Sequence, residues 1–238
     1  MGYIDIHSHI LWGVDDGCPD VESSIELVGG LNSIGFDTIA ATSHIWPRVF
    51  SGAAEVRARF TEFEREIAER NIPVRLVLSG EHYLDGDFWE ILEKGEAIPY
   101  EGTKYILVEF PLGKLPYNPH EIIFRLQQKG YKPVIAHAER YEFVQERPES
   151  LEPLVYSGAI IQGDIRGLIG KFTREEKKAM KALFELEYYH ILATDSHGVG
   201  DLEDIIICLE RLKNLFGERE IEKLLSENPR KIIEGKPF

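Results

Sequence analysis

Cysteine is scarce in this sequence, and long apolar runs are absent from it. The two cysteines, Cys18 and Cys208, lie far apart and in no Cys-x-x-Cys pattern. This spacing excludes a disulfide framework and a thiolate-rich zinc site, and it indicates a reducing compartment. No apolar stretch approaches the roughly 20 residues that span a bilayer, and no basic segment with an apolar core marks a signal peptide. We therefore expect a cytoplasmic protein that does not insert into a membrane.

Basic charge is also in short supply. The chain carries 27 Lys and Arg against 41 Asp and Glu, a formal net charge of −14. This balance disfavours nucleic acid as a partner, because phosphate contacts need clustered cations. Most carboxylates are expected on a solvated surface, and a few are candidates for neutralisation by divalent cations. With 43% hydrophobic residues in 238, the chain is expected to fold as one domain, residues 1–238, without disulfides.

Short apolar runs alternate with segments of helical periodicity along the chain. Runs of strand character occur at residues 3–7, 37–41, 74–78, 105–109, 133–137, 159–162 and 190–194. Helical segments lie at about residues 21–33, 53–70, 119–129, 173–186, 200–216 and 218–226. The alternation predicts an α/β fold with parallel strands that are covered on both faces. A closed or nearly closed barrel is our preferred form, and an open doubly wound sheet is the alternative.

Metal-capable side chains stand at or just past the carboxyl ends of six of the seven runs. In a barrel these ends share one face, where the loops after the strands build the active site. The side chains are those of His7, His9, His44, Glu81, Glu109, His137, Asp195 and His197.

Spacing and burial single out particular members of this set. His7 and His9 are two positions apart, so both imidazoles project from one side of an extended backbone as a chelating pair. Glu109 closes an apolar run, where a carboxylate is costly to bury unless it is paired or metal-bound. Asp15 and Asp16 precede a glycine in an ideal turn sequence. We favour Asp16 as a further ligand and leave Asp15 in the turn.

Together these residues comprise five histidines and four carboxylates. That number is too large for one tetrahedral ion, and it suits two or three divalent ions with bridging carboxylates. Imidazole and carboxylate without thiolate favour Mn, Fe or Zn. Clustered ions polarise a phosphoryl oxygen, lower the pKa of a bridging water to give hydroxide, and stabilise the leaving oxygen. Hydrolysis of a phosphate ester is the reaction that fits best.

The motifs, in their order along the chain, resemble those of the polymerase-and-histidinol-phosphatase (PHP) superfamily over about residues 3–234. The matching segments are Ile-Asp-Ile-His-Ser-His at 4–9, Val-Asp-Asp-Gly at 14–17, Thr-Ser-His at 42–44, Pro-Val-Ile-Ala-His-Ala-Glu-Arg-Tyr at 133–141 and Asp-Ser-His at 195–197. Ala-His-Ala-Glu-Arg-Tyr at 136–141 and Glu-Asn-Pro-Arg-Lys at 227–231 look specifically like the bacterial manganese-dependent protein-tyrosine phosphatases of capsule and exopolysaccharide regulation.

This resemblance implies a distorted seven-stranded (β/α)7 barrel with a trinuclear site, in which manganese is the favoured metal. It implies a phosphotyrosyl protein, such as a bacterial tyrosine kinase, as the partner, and it leaves the oligomeric state open. Arg140 matches the family's phosphate-binding arginine, and Arg140, Asp195 and His197 are the implied catalytic residues. The implied ligand sets are His7, His9, Glu81 and Asp195 for the first ion; Glu81, Glu109 and His137 for the second; and Asp16, His44 and His197 for the third.

The sequence departs from the family after its last Asp-x-His motif. The phosphatases usually carry a second phosphate-binding arginine there, whereas this chain has no arginine between His197 and Arg211. Arg166, after the sixth run, and Arg48, just beyond His44, are the candidates to supply the missing charge.

There are three alternatives to a metal-dependent tyrosine phosphatase, and two of them remain open. A cysteine-dependent phosphatase is excluded, because neither cysteine is followed by arginine six positions later. Hydrolysis of histidinol phosphate, or of another small phosphomonoester or phosphodiester, remains an alternative, and so does a non-catalytic metal-binding regulatory module. No general acid is evident, although His82 and His120 are histidines outside the implied ligand sets.

Overall fold

Parallel strands alternate with helices in the computed structural model, which describes residues 2–113, 118–171 and 173–238. Among these residues the strands are Tyr3–Asp5 (β1), Phe36–Ala41 (β2), His44–Ile45 (β3), Arg75–Leu78 (β4), Glu81–Tyr83 (β5), Tyr105–Glu109 (β6), Lys132–Ile135 (β7), Ile160–Asp164 (β8) and Ile191–Ala193 (β9). All seven predicted runs therefore contain a strand. The runs at 37–41 and 74–78 are each followed, after two residues, by a further short strand.

The helices are Val21–Ile34 (α1), Ala53–Glu69 (α2), Phe88–Glu93 (α3), Pro119–Gln128 (α4), Glu142–Glu146 (α5), Glu152–Tyr156 (α6), Arg174–Glu185 (α7), Leu202–Phe216 (α8), Glu218–Glu222 (α9) and Asn228–Ile233 (α10). Short 3-10 helices cover Ala138–Arg140, Pro148–Leu151, Ile165–Ile169 and Val199–Asp201, and a π-helix, Lys223–Glu227, joins α9 to α10. No helix of the described ranges is long and apolar enough to cross a membrane.

Local sequence explains where the first helix begins and ends. Asp20 caps α1 by accepting a hydrogen bond from the Ser23 N–H, and the Ser23 side chain returns the contact, which satisfies two N–H groups that the helix leaves unpaired. Gly35 ends α1 with φ of 119°, a left-handed conformation that glycine adopts without a steric cost. The strand β2 begins at the next residue, so α1 is anchored against it.

The strands form two sheets in which every pair is parallel. One sheet has the order β1-β2-β4 and the other β3-β5-β6-β7-β8-β9. The α/β fold with parallel strands is therefore confirmed, but the described strands do not form one closed ring. The dipeptides between β2 and β3 and between β4 and β5 separate the two sheets. Between the described strands β9 and β1 there is no ladder, only the isolated parallel bridge of Ser8 with Ser196.

Hydrogen bonds continue from one strand to the next beyond the regular ladders. The Ser79 N–H donates to the Ala41 carbonyl at 2.9 Å, across the two breaks. Just past β1 and β9, the Asp195 N–H donates to the His7 carbonyl and the His9 N–H to the Ser196 carbonyl, both at 2.8 Å. The backbone segments that carry the predicted ligands are thus joined to each other directly.

Two apolar clusters follow from the alternation of side chains along the strands. The larger one lies between the strands and the helices and includes Ile39, Val108 and Leu192. The smaller one collects the opposite sides of the strands and includes Ile4 and Val134. The strands are thus buried on both sides, and the polar side chains that follow them are grouped at their carboxyl ends.

Candidate metal centre

The nine predicted metal ligands meet at one cavity of about 400 Å³ at the carboxyl ends of the strands. Seven of them line it, and His7 and His9 are fully buried beside it. The lining consists of Asp16, His44, Glu81, Glu109, His137, Arg140, Arg166, Lys171, Asp195, His197 and Asp201. Strand ends far apart in sequence therefore deliver their polar side chains to one place.

Four atoms that can coordinate a metal ion, here called donor atoms, form the innermost group of the cavity. They are the Nε2 atoms of His7 and His9, Oε2 of Glu81 and Oδ1 of Asp195, and five of their pairs are 3.2 to 3.4 Å apart. Bonds of about 2.0–2.1 Å to a tetrahedral ion place the ligand atoms about 3.3–3.4 Å from one another. These five distances therefore match the spacing of ligand atoms around one metal ion.

Hydrogen bonds on the far side of both imidazoles orient them for this role. Gln162 Oε1 accepts a backbone hydrogen bond from His137, so this atom is an acceptor, and it lies 3.0 Å from His7 Nδ1. Asp15 Oδ2 lies 2.9 Å from His9 Nδ1. Both Nδ1 atoms therefore carry a proton, and both Nε2 atoms face the two carboxylates. This orientation leaves the two Nε2 atoms and the two carboxylate oxygens able to coordinate a divalent metal ion together.

The pKa values of residues at the cavity reflect the close approach of several buried charges. Burial lowers the pKa of His7, but the charges of Glu81 and Asp195 outweigh it and raise the pKa to about 9. Burial raises the pKa of Glu109 well above its usual value, and the charges of Glu81 and Asp195 add to that effect. His7 and Glu109 thus favour their protonated forms because buried negative charge is concentrated around them, whereas burial lowers the pKa of His44 and His137.

Glu81 faces two groups of donors with its two oxygens. Its Oε2 belongs to the innermost group, whereas its Oε1 lies 3.0 Å from His137 Nε2. His137 Nε2 is in turn 3.4 Å from Glu109 Oε1. This arrangement suits a carboxylate that bridges two ions, with His137 and Glu109 completing the second set.

A third group lies at the outer edge of the cavity. Asp16 Oδ1 lies 3.6 Å from His44 Nε2 and 3.5 Å from His197 Nε2, and these three side chains and His9 have donor atoms within 4.8 Å of one another. The Asp16 carboxylate is 54% exposed, so this group faces solvent.

Two ligand candidates have backbones in the left-handed region. The φ angles are 29° for His137 and 45° for Asp195, and residues with a Cβ rarely adopt this conformation. Each residue follows the last position of its strand closely, so the backbone turn aims its side chain into the cavity. Local strain of this kind clusters at functional sites.

Arg140 lies at the cavity wall between two carboxylates. Its Nη2 is 2.6 Å from Asp195 Oδ2 and 2.7 Å from Asp164 Oδ2. Asp195 therefore contacts the innermost group with one oxygen and the arginine with the other. The same guanidinium is 16% exposed, so it is accessible from the cavity.

Of the two candidates for a second cation, the structure brings only Arg166 to the cavity. Its Nη2 lies 3.1 Å from Asp164 Oδ2 and its Nη1 lies 2.8 Å from Asp201 Oδ1. Arg48 is 73% exposed, pairs with Asp87, and is not among the described residues that line the cavity.

Several side chains at the site were not predicted from the sequence. Asp15, left in the turn, does accept the Gly17 N–H, but it also contacts His9 and the His44 N–H. Lys171 pairs with Asp201 at the cavity wall. The one available signal was the proximity of Asp15 to a predicted ligand, and no spacing rule links residues 164, 171 or 201 to the ligands.

The two histidines considered as general acids lie outside the cavity lining. His82 is buried, with Nδ1 2.9 Å from the Leu107 carbonyl and Nε2 accepting the Ile98 N–H, and burial lowers its pKa to about 4. His120 contacts Ser157 on the surface. Both histidines therefore have structural contacts in place of access to a substrate.

Comparison with known proteins shows several close similarities. The family model for capsular polysaccharide synthesis, CpsB/CapC, matches residues 3–234. Tyrosine-protein phosphatase YwqE of Bacillus subtilis is 34% identical over 230 residues, covering 94% of this chain and 89% of the relative. Tyrosine-protein phosphatase CpsB of Streptococcus pneumoniae is 30% identical over 237 residues, covering 97% of this chain and 98% of the relative.

Solved structures agree with these similarities. A crystal structure from the work on YwqE and CpsB, described there as metal-dependent tyrosine phosphatases, superposes with a TM-score of 0.88 at 32% identity, covering 99% of this chain and 96% of the other. An amidohydrolase from Mycoplasma synoviae superposes with a TM-score of 0.65 at 14% identity, covering 98% of this chain and 87% of the other. This more distant likeness concerns the fold alone.

Proposed function

The chain belongs to the CpsB/CapC family of capsular polysaccharide synthesis, and on that premise we propose that it is a metal-dependent protein-tyrosine phosphatase. One observation carries the proposal: Asp195 contacts the innermost donor group with Oδ1 and the Arg140 guanidinium with Oδ2. A metal site and an anion-binding cation are thereby held next to each other, as hydrolysis of a phosphate monoester requires.

Three sets of ligands are proposed for two or three divalent ions, with Mn favoured and Fe or Zn as alternatives. Bound ions would supply Lewis-acid chemistry, polarising the phosphoryl oxygens and lowering the pKa of water. The first set is His7, His9, Glu81 and Asp195; the second is Glu81, Glu109 and His137; the third is Asp16, His44 and His197. The contacts between donor atoms described above support these sets, and His44 Nδ1, 3.1 Å from Glu81 Oε2, connects the third set to the first two.

The protein's own residues would bind and orient the substrate. Arg140 is held from two sides, so its N–H groups need little reorganisation to receive the phosphate oxygens. His197 Nδ1 lies 2.9 Å from the Asp195 carbonyl, which orients its ring towards the cavity. We propose Arg140, Asp195 and His197 as catalytic residues, and Arg166 as the second cation for the phosphate. The surface position of Arg48 argues against a role for it at the phosphate.

We also propose that the two sheets form one distorted seven-stranded barrel within a single domain, residues 1–238. In this description β2 with β3, and β4 with β5, each count as one interrupted strand. The backbone hydrogen bonds between the segments after β1 and β9 support it. The cytoplasmic location and a phosphotyrosyl protein kinase as the partner are likewise proposals, and they rest on the chain's likeness to its relatives.

The proposed function is tested by hydrolysis assays on metal-stripped protein reloaded with Mn²⁺. We expect phosphotyrosyl peptides to be hydrolysed, and Asp195→Ala and His137→Ala to abolish turnover. Asp87→Ala and His120→Ala are matched controls outside the cavity lining and should retain activity. Faster turnover of histidinol phosphate than of phosphotyrosyl peptides would replace the proposed substrate, and no Mn²⁺-dependent hydrolysis of any aryl phosphate would favour a regulatory metal-binding module.

A further inference from the structure

Three aromatic side chains contact one another in a row next to His44, a residue of the cavity lining. The Phe50 ring stacks on the imidazole of His44, with centroids 5.1 Å apart and an interplanar angle of 9°. Trp46 lies edge-on to Phe50 at 6.5 Å and stacks on Tyr83 at 4.4 Å. We name Trp46, Phe50 and Tyr83 the aryl wall. It starts at a cavity-lining histidine and ends at the strand next to Glu109, since Tyr83 is in register with Glu109 in the β5–β6 pair.

The aryl wall is held in place but is not part of the core. All three residues are partly exposed, in contrast to the fully buried aromatic residues of the apolar clusters. Trp46 is oriented by a 3.2 Å hydrogen bond from Nε1 to Asp85, and the Phe50 N–H donates to the Trp46 carbonyl at 2.9 Å. Rings that are fixed and still accessible are suited to receive another ring at low entropic cost.

The aryl wall and the arginines come from different parts of the sheet. Trp46 and Phe50 follow β3 and Tyr83 ends β5, whereas Arg140 follows β7 and Arg166 follows β8. In the sheet order β3-β5-β6-β7-β8-β9, strand β6 with Glu109 separates the two. Arg140 and Arg166 line the cavity on one side of Glu109, and on the other side of Glu109 the aryl wall adjoins the cavity through the contact of Phe50 with His44. An aryl phosphate has two corresponding ends, a phosphate and a ring, joined by a single oxygen atom.

We propose that the aryl wall binds the phenyl ring of the substrate and thereby selects aryl over alkyl phosphate monoesters. This inference rests on the proposed phosphatase function. Arg140 and His44 line the same cavity, so a phosphate held at Arg140 with its ester oxygen directed towards His44 would place the attached ring next to Phe50, which stacks on His44. Phe50 and the adjacent Trp46 can then pair with the ring by stacking or edge contacts.

The test compares binding of phenylphosphonate and inorganic phosphate to the Mn²⁺-loaded full-length protein by calorimetry. We expect Trp46→Ala and Phe50→Leu each to weaken phenylphosphonate about threefold to tenfold, the range for loss of one aromatic pair, while inorganic phosphate changes by less than about twofold. Phe50→Leu keeps an apolar side chain beside His44, so the position of this imidazole is preserved. Tyr156→Ala, which removes an aromatic side chain that is 82% exposed, is the matched control and should bind both ligands as the wild type does.

The outcomes separate this inference from the proposed function. Loss confined to phenylphosphonate supports the aryl wall. Equal losses for both ligands, or unchanged binding of both, would overturn it while leaving the phosphatase proposal intact. Wild-type protein that binds neither ligand and hydrolyses no aryl phosphate would overturn both.

Discussion

Replacing Asp15 by asparagine tests whether the metal site depends on a residue outside the ligand sets. The Asp15 carboxylate accepts three hydrogen bonds, from His9 Nδ1 at 2.9 Å, the His44 N–H at 3.0 Å and the Gly17 N–H at 3.0 Å. An amide of the same shape has one oxygen and one NH2 group. In either orientation, at least one of the three donors faces the NH2 group instead of an acceptor.

The size of the effect follows from this count. We expect the amide introduced by Asp15→Asn to turn its oxygen to His9 and His44 and to lose the bond to Gly17, which loosens the loop that carries Asp16. His9 also loses the negative charge next to its Nδ1, so its Nε2 becomes a weaker ligand for the metal ion. Loss of such a supporting carboxylate typically costs about 10- to 100-fold in metal affinity, or about 1.4–2.7 kcal/mol.

Competition of Mn²⁺ between the protein and a chromogenic chelator measures this affinity directly. Asp20→Asn is the matched control, because it lies in the same loop and asparagine caps α1 as well as aspartate does. We expect the control to bind Mn²⁺ as the wild type does. A dissociation constant for Asp15→Asn within about twofold of the wild-type value would refute the role assigned to this carboxylate.

Three further predictions concern the rest of the molecule. Burial raises the pKa of the Cys18 and Cys208 thiols to about 11, so alkylation at pH 8 should be slow, should quicken as the pH rises towards 11, and should become rapid in urea; fast labelling of native protein would contradict this. Gly163→Ala places a Cβ 2.6 Å from the Tyr189 ring and should lower the free energy of unfolding in urea by about 1–3 kcal/mol. Gly29→Ala, with open space around its Cβ, should not lower it. Equal urea midpoints for the two variants would count against this packing argument. Chelation should lower Tm by about 5–10 °C relative to protein at a hundredfold excess of Mn²⁺ over its Kd, which contributes about 2.7 kcal/mol; identical melting curves would speak against a metal site in the folded state.

The positions of the ligand candidates could be predicted because two simple rules agree. Apolar runs of four or five residues indicate buried parallel strands, and the carboxyl ends of such strands share one edge. Glu109 and His137 stand at those ends, so their meeting at 3.4 Å required no knowledge of the loops. The spacing of His7 and His9 likewise defines which side of the strand they occupy.

Features that depend on contacts between distant loops could not be predicted in this way. The strand breaks after β2 and β4 fall at Thr42-Ser43 and Ser79-Gly80; only the second is a turn-forming dipeptide, and neither shows that a further strand follows. Asp15 contacts His9 only because the loop folds back over its own strand. Arg48, close to His44 in sequence, pairs instead with Asp87, a residue 39 positions away. Charge pairs of this kind are decided by loop packing, on which periodicity gives no information.

The left-handed backbones of His137 and Asp195 have a consequence for how the family can change over evolutionary time. Such conformations cost on the order of 1–3 kcal/mol each for a residue with a Cβ, and glycine would relieve that cost. Both residues therefore carry a local backbone cost that the contacts of their side chains in the cavity must offset. In a relative that no longer used the metal site, part of this offset would be lost and glycine would be better tolerated at these two positions. Glycine there, in an otherwise similar sequence, would mark a chain in which the metal site has fallen out of use.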